Sequence, residues 1–247
     1  MSNAQNNQLD SNSPKSATHI LLKFCYIIIL PFLLSSCGDT KSEKTTQEPE
    51  DNQQVEETAV NSSKTILCFG DSITAGYGLE DSADAYPALL QQKIDSLGLN
   101  YTVINSGLSG ETSAGGKSRI SWILNQDISV FLLELGANDG LRGVQLEETR
   151  SNLQDIIDSV QKKSPNTTIV LAGMELPPNM GQEYTSQFRQ IYADLAKENN
   201  LEFIPFILKD VGGVKELNQT DGIHPNIEGH KILATTVWKT LKPLISN

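Results

Sequence analysis

Three scarcities bound what this chain can be. Basic side chains are short of acidic ones, 19 Lys and Arg against 30 Asp and Glu, for a formal net charge of -11 and a pI near 4.7. Such a chain repels phosphate backbones, which argues against nucleic acid as a partner. Long apolar runs are missing too: the most apolar stretch, Phe24 to Leu34, is too short for the roughly 20 residues a membrane-spanning helix needs. Cysteine and histidine occur three times each, so any chemistry built on them must use a handful of positions.

What is present falls into three segments. The run "FCYIIILPFLL", preceded by Lys15 and Lys23, suits the core of a secretory signal. It ends in Leu34-Ser35-Ser36-Cys37, which resembles the bacterial lipobox, where cleavage before the cysteine leaves it as a lipid-bearing first residue. Residues 1–36 are therefore expected to be a lipoprotein signal peptide, and Cys37 a membrane anchor in the bacterial cell envelope. Cys25 would leave with the signal and Cys68 would remain alone, which excludes a disulfide framework. Residues 38–63 hold seven acidic and two basic side chains and almost nothing apolar. Such a stretch cannot offset its own ordering entropy by burial, so 37–63 is expected to be an acidic tether.

Residues 64–247 alternate strand and helix patterns. Apolar runs at 65–69, 101–105, 128–135, 167–173 and 201–206 read as buried strands. Leu153, Ile156, Ile157 and Val160 recur at helical spacing, as do Tyr184, Phe188, Ile191, Tyr192 and Leu195. A last helix is expected over 226–241, with Ile227, Ala234, Val237, Trp238 and Leu241 on its apolar side. Strands separated by helices imply right-handed crossovers and a parallel sheet covered on both faces. Cys68 falls in the first strand and reads as an inert core thiol.

Ligands of such a sheet lie outside the carboxyl ends of its strands. The polar, glycine-rich segments fall there: "GDSITAGYG" after the first strand, "SGLSGETS" after the second, "GANDG" after the third and "MELPPNMG" after the fourth, with "DGIHPN" entering the final helix. A serine hydroxyl needs a base to become a nucleophile, and the base needs a third group to orient it. His230 falls inside the terminal helix, whereas His224 lies in a loop three residues after Asp221. Ser72, His224 and Asp221 are thus the candidate triad. Gly110, lacking a side chain, and Asn138, with its amide, are candidate oxyanion donors beside the Ser72 N–H.

The blocks "FGDSITAGYG", "NSGLSGETS", "LELGANDGLRG" and "DGIHPN" resemble, in order, the four signature blocks of the SGNH hydrolases, or GDSL esterases, most nearly the bacterial thioesterase I, lysophospholipase and arylesterase branch. The resemblance spans 64–247. It implies a flavodoxin-like αβα sandwich with five parallel strands, Ser72 as nucleophile, Gly110 and Asn138 as oxyanion donors, Asp221 and His224 completing the triad, and cleavage of carboxylic esters or thioesters without metal or organic cofactor. Ile73 departs conservatively from the family's leucine. The loops "GLRGVQ" and "LPPNMGQEY" are expected to wall an acyl pocket.

Competing readings are a carbohydrate O-acetylesterase on the same site and a catalytically silent, surface-tethered binding module. Other motifs fail on their own terms. A phosphate-binding P-loop around Gly116-Lys117-Ser118 would have Glu111 where it needs glycine, and "GDSIT" lacks the last glycine of a G-x-S-x-G elbow. Asp71 and Asp139 suggest a glycosidase pair, but turn carboxylates beside a sheet are common and sequence does not set their separation.

Overall fold

A computed structural model describes residues 63–246. The expected signal peptide, Cys37 and all of the expected tether but Ser63 lie outside the described residues. Five strands, β1 (Lys64–Gly70), β2 (Tyr101–Gly107), β3 (Val130–Glu134), β4 (Thr168–Ala172) and β5 (Glu202–Ile204), form one parallel sheet in the order β2-β1-β3-β4-β5. This order is flavodoxin-like, in keeping with the fold that the resemblance implies, and its point of reversal lies between β1 and β3. The register sharpens that point: Gly70 pairs with Gly107 on one side and Glu134 on the other, so the loops leaving β1, β2 and β3 start level.

Burial explains how the strands read. The interior strand β3 is buried throughout and appears in the sequence as an unbroken apolar run. β2 is an edge and stays half-buried. β5 is shorter than the apolar run 201–206, because Pro205 has no N–H to offer a ladder.

Among the described residues seven α-helices accompany the sheet: α1 (Ser72–Ala75), α2 (Tyr86–Ser96), α3 (Ser113–Ile123), α4 (Ala137–Arg142), α5 (Leu146–Lys163), α6 (Gln182–Glu198) and α7 (Ile227–Ile245). α2 packs on α7, and α5 packs between α3 and α6. The apolar stripe of α5 is wholly buried at Leu153, Ile156, Ile157 and Val160, each side chain contributing about 1.5–3 kcal/mol over exposure. Glu147 and Glu148 in its first turn and Lys162 and Lys163 in its last complement the helix dipole.

Two sequence expectations shift at α7. Its cap is Asn226, whose side chain accepts from the Gly229 N–H at 3.1 Å, and the helix runs on to Ile245. Ile227, expected on the apolar side, is exposed, because the first turn projects beyond the core. Cys68 is fully buried, and burial pushes its thiol up to about 12, so no thiolate forms near neutrality. No helix among the described residues is long and apolar enough to cross a membrane.

Candidate active site

The chain leaves β1 through Asp71 and turns at once into the single-turn helix α1. Asp71 caps it, its Oδ1 accepting from the Ile73 N–H at 3.0 Å. The turn is held from beneath by Glu134 at the end of β3, whose Oε2 accepts from the Asp71 N–H (3.2 Å) and the Thr74 hydroxyl (2.7 Å). Glu134 is fully buried, and among the described residues its Oε1 has no partner. Burial first, and the neighbouring Asp71 next, hold this carboxyl well above the usual range, favouring its neutral form. Ser72 is thereby fixed on a short, buttressed turn at the mouth of the sheet.

From the other end of the chain comes the loop before α7. Asp221 Oδ1 accepts two backbone hydrogen bonds, from Ile223 and His224, both at 3.0 Å. Its Oδ2 lies 2.7 Å from His224 Nδ1. Partial burial alone would raise the Asp221 carboxyl, but the hydrogen bonds from His224 and Ile223 outweigh it and hold the group at about 2. In the tautomer that carries its proton on Nδ1, that N–H donates to the ionised Asp221 and Nε2 keeps a free lone pair. Nε2 lies 2.9 Å from Ser72 Oγ. Residues 72 and 224 therefore meet, hydroxyl oxygen facing imidazole nitrogen.

Asn138, in the first turn of α4, faces the same space. Its Nδ2 donates to Asp71 Oδ2 at 3.1 Å, leaving a second N–H of that amide uncommitted. Burial pushes the Asp71 carboxyl up to about 6, against the lowering pull of the Ile73 N–H and the Asn138 amide. Gly110 is placed less directly. It does not line the cleft, but Arg142 Nη2 donates both to its carbonyl oxygen (3.0 Å) and to Asn138 Oδ1 (3.4 Å), tying the two candidate donors together. Gly110 has φ +80°, a conformation that favours glycine. Among the described residues no acceptor takes the Gly110 N–H.

The rejected readings have structural counterparts. Glu111 is engaged by Arg119, whose Nε and Nη2 reach its two oxygens at 2.6 and 2.5 Å, while Nη1 and Nη2 hold Ser106. That carboxylate anchors the Gly110 loop. Asp139 is buried with its oxygens taken by the Ser113 N–H (2.8 Å) and hydroxyl (2.5 Å), so it opens onto no space shared with Asp71.

A cleft of about 490 Å³ leads away from Ser72, within the usual range for small-molecule sites. Leu141 of "GLRGVQ" and Leu176, Pro177 and Pro178 of "LPPNMGQEY" line it, as the sequence led one to expect. Phe206, Leu208 and Gly212-Gly213 complete the wall from the segment after β5. Phe206, expected within the last strand, instead lies past the end of β5, after Pro205. Arg119, Arg142, Glu134 and Gln219 also escape the sequence reading, since side-chain bonds between distant loops leave no periodic trace. No cluster of His, Cys, Asp and Glu suited to a metal occurs among the described residues.

The GDSL-like Lipase/Acylhydrolase family model matches residues 68–232. The chain is 38% identical over 183 residues to Esterase TesA of Pseudomonas aeruginosa, covering 74% of this chain and 90% of that protein. It is 39% identical over 184 residues to the Thioesterase 1/protease 1/lysophospholipase L1 of Escherichia coli K12, covering 74% and 86%. The crystal structure of TesA superposes with a TM-score of 0.70 at 38% identity, covering 73% of this chain and 99% of that one.

Proposed function

Because the chain belongs to the GDSL-like lipase/acylhydrolase family and is an ester hydrolase, we propose that it works by two-step acyl transfer on Ser72. His224 Nε2 takes the hydroxyl proton as Ser72 Oγ attacks the carbonyl carbon of an ester or thioester. The oxyanion is met by the Ser72 and Gly110 N–H groups and the uncommitted N–H of Asn138. The His224 imidazolium, stabilised by Asp221, returns its proton to the leaving alcohol or thiol. Water, deprotonated by the same Nε2, then releases the acid and restores Ser72.

The observation that carries this reading is the hydrogen-bonded run Asp221–His224–Ser72, at 2.7 and 2.9 Å, opening onto an apolar cleft. An apolar wall favours acyl chains over a sugar acetate, whose polar ring would find few partners there. Hydrolysis of p-nitrophenyl esters of graded chain length, beside Ser72→Ala, tests it. Loss of the nucleophile should cost on the order of 10⁴-fold or more. Equal rates would leave the silent binding module standing.

The location of the enzyme is a separate part of the proposal. The apolar run ending in "LSSC" supports lipidation of Cys37 and a place on the bacterial cell envelope. Cys37→Ser should move the protein from the membrane fraction to the soluble one.

A further inference from the structure

The triad depends on two loops meeting although 152 residues separate Ser72 from His224. Something must hold the loops together before substrate arrives, because their chain connection cannot. We propose that Gln219 is the positioning residue that does so, stapling the loop after α1 to the loop that carries His224; this rests on the reading of Ser72 and His224 given above.

Gln219 lies in neither loop's reacting part and is half-buried. Its Nε2 donates to the carbonyl oxygen of Tyr77, in the Ser72 loop, at 2.6 Å. The same nitrogen donates to the carbonyl oxygen of Pro225, next to His224, at 3.0 Å. Its backbone N–H donates to the His224 carbonyl oxygen at 2.7 Å, and its own carbonyl accepts from the Gly222 N–H at 2.9 Å. One residue thus closes the His224 turn with its main chain and reaches across to the nucleophile side with its amide.

The far side of the junction is shaped to receive it. Gly78 has φ +76°, and a Cβ there would collide with the Gln219 side-chain oxygen, so the backbone of the Ser72 loop lies directly against this amide. Tyr77, whose carbonyl is held, lays its ring against the His224 imidazole with centroids 4.7 Å apart and planes tilted by 47°. Holding the Tyr77 backbone therefore also holds a wall of the imidazole's pocket. Two carbonyl acceptors converging on one nitrogen demand a donor at that place, and a side chain of the same shape presenting an oxygen would meet two oxygens instead.

The test separates donor from acceptor, with Met and Glu close to glutamine in size and Lys one atom longer. Three variants of the full-length chain, Gln219→Met, Gln219→Glu and Gln219→Lys, are assayed at pH 8 with a p-nitrophenyl ester, and their urea unfolding midpoints are measured alongside Ser72→Ala and His224→Ala. Met removes the donors, Glu replaces them with acceptors and Lys restores a donor. Gln219→Met should lose roughly 10- to 100-fold in kcat, the effect of a small misplacement of reacting groups, with KM within about twofold. Gln219→Glu should fall further and Gln219→Lys should recover part of the loss, while unfolding midpoints stay near that of the parent. Met and Glu variants with normal kcat would overturn the staple, as would a loss confined to KM or one that follows the unfolding midpoint. If Ser72→Ala or His224→Ala turned over normally, the reading of the site itself would fail, an outcome distinct from failure of the staple.

Discussion

His230 offers a test in which the two histidines of the described residues must part company. It is fully buried in α7, and its Nδ1 accepts from the Tyr86 N–H at 3.2 Å. The ring proton therefore sits on Nε2, which has no partner among the described residues. Burial first, and the charge of His224 next, lower its pKa to about 4 from the usual 6.5. Between those values the unfolded chain binds a proton that the folded chain refuses, so stability is lost as pH falls from 6.5 toward 4. At up to about 1.4 kcal/mol per pH unit, the fall from pH 7 to pH 5 should cost about 2 kcal/mol.

The parent's stability curve hides this loss. Asp71, its carboxyl raised to about 6, acts in the opposite sense: the folded chain keeps that proton where the unfolded chain releases it, so stability rises as pH falls from 6 toward 3.8. The comparison must therefore be between the parent and His230→Asn, in which the Asp71 contribution cancels and the asparagine oxygen stands in for Nδ1. Urea unfolding at pH 7 should give a penalty of about 1–3 kcal/mol for the lost ring packing. At pH 5 the penalty should shrink by about 2 kcal/mol. Ester hydrolysis at pH 7 should survive this substitution and vanish in His224→Ala. A penalty equal at both pH values would refute the assignment of a proton-refusing His230.

Other expectations are equally direct. Asn138→Ala should lower kcat by about 100- to 1,000-fold with little change in KM, since the amide acts on the oxyanion rather than the bound ester. Asp221→Asn should cost on the order of 10⁴-fold, as comparable replacements do in other triads, because the imidazole loses its orienting acceptor. Gly110→Ala meets open space, with only Arg142 Nη2 at 3.7 Å, so its cost is backbone strain of about 1–2 kcal/mol, readable as a lower unfolding midpoint. Leu176→Trp should shift the optimum in a p-nitrophenyl ester series to shorter chains by filling the cleft, and an unchanged optimum would remove Leu176 from its wall.

Much of the fold was legible because β1 and β3 are buried on both faces and α5 and α6 on one, and burial writes itself into the sequence as runs and stripes. The candidate site was legible for a related reason: in a parallel sheet, polar residues after strands must gather at one end, so Ser72, Asn138 and His224 had few places to go. What stayed hidden depends on long-range pairing. Gln219 bonds to Tyr77, Arg142 to Gly110, and Arg119 to Ser106 and Glu111, none of which has a periodic or compositional signature. Phe206 looked like strand because it is apolar, yet it follows Pro205 and faces the cleft.

The central claim is that Ser72 Oγ is made nucleophilic by His224. A fluorophosphonate ester, which captures only an activated hydroxyl, measures this most directly when its site of attachment is mapped by peptide mass spectrometry. One phosphonyl group should appear on Ser72 in the parent chain and none in His224→Ala. Attachment at another residue, or undiminished labelling of Ser72 without His224, would contradict the account.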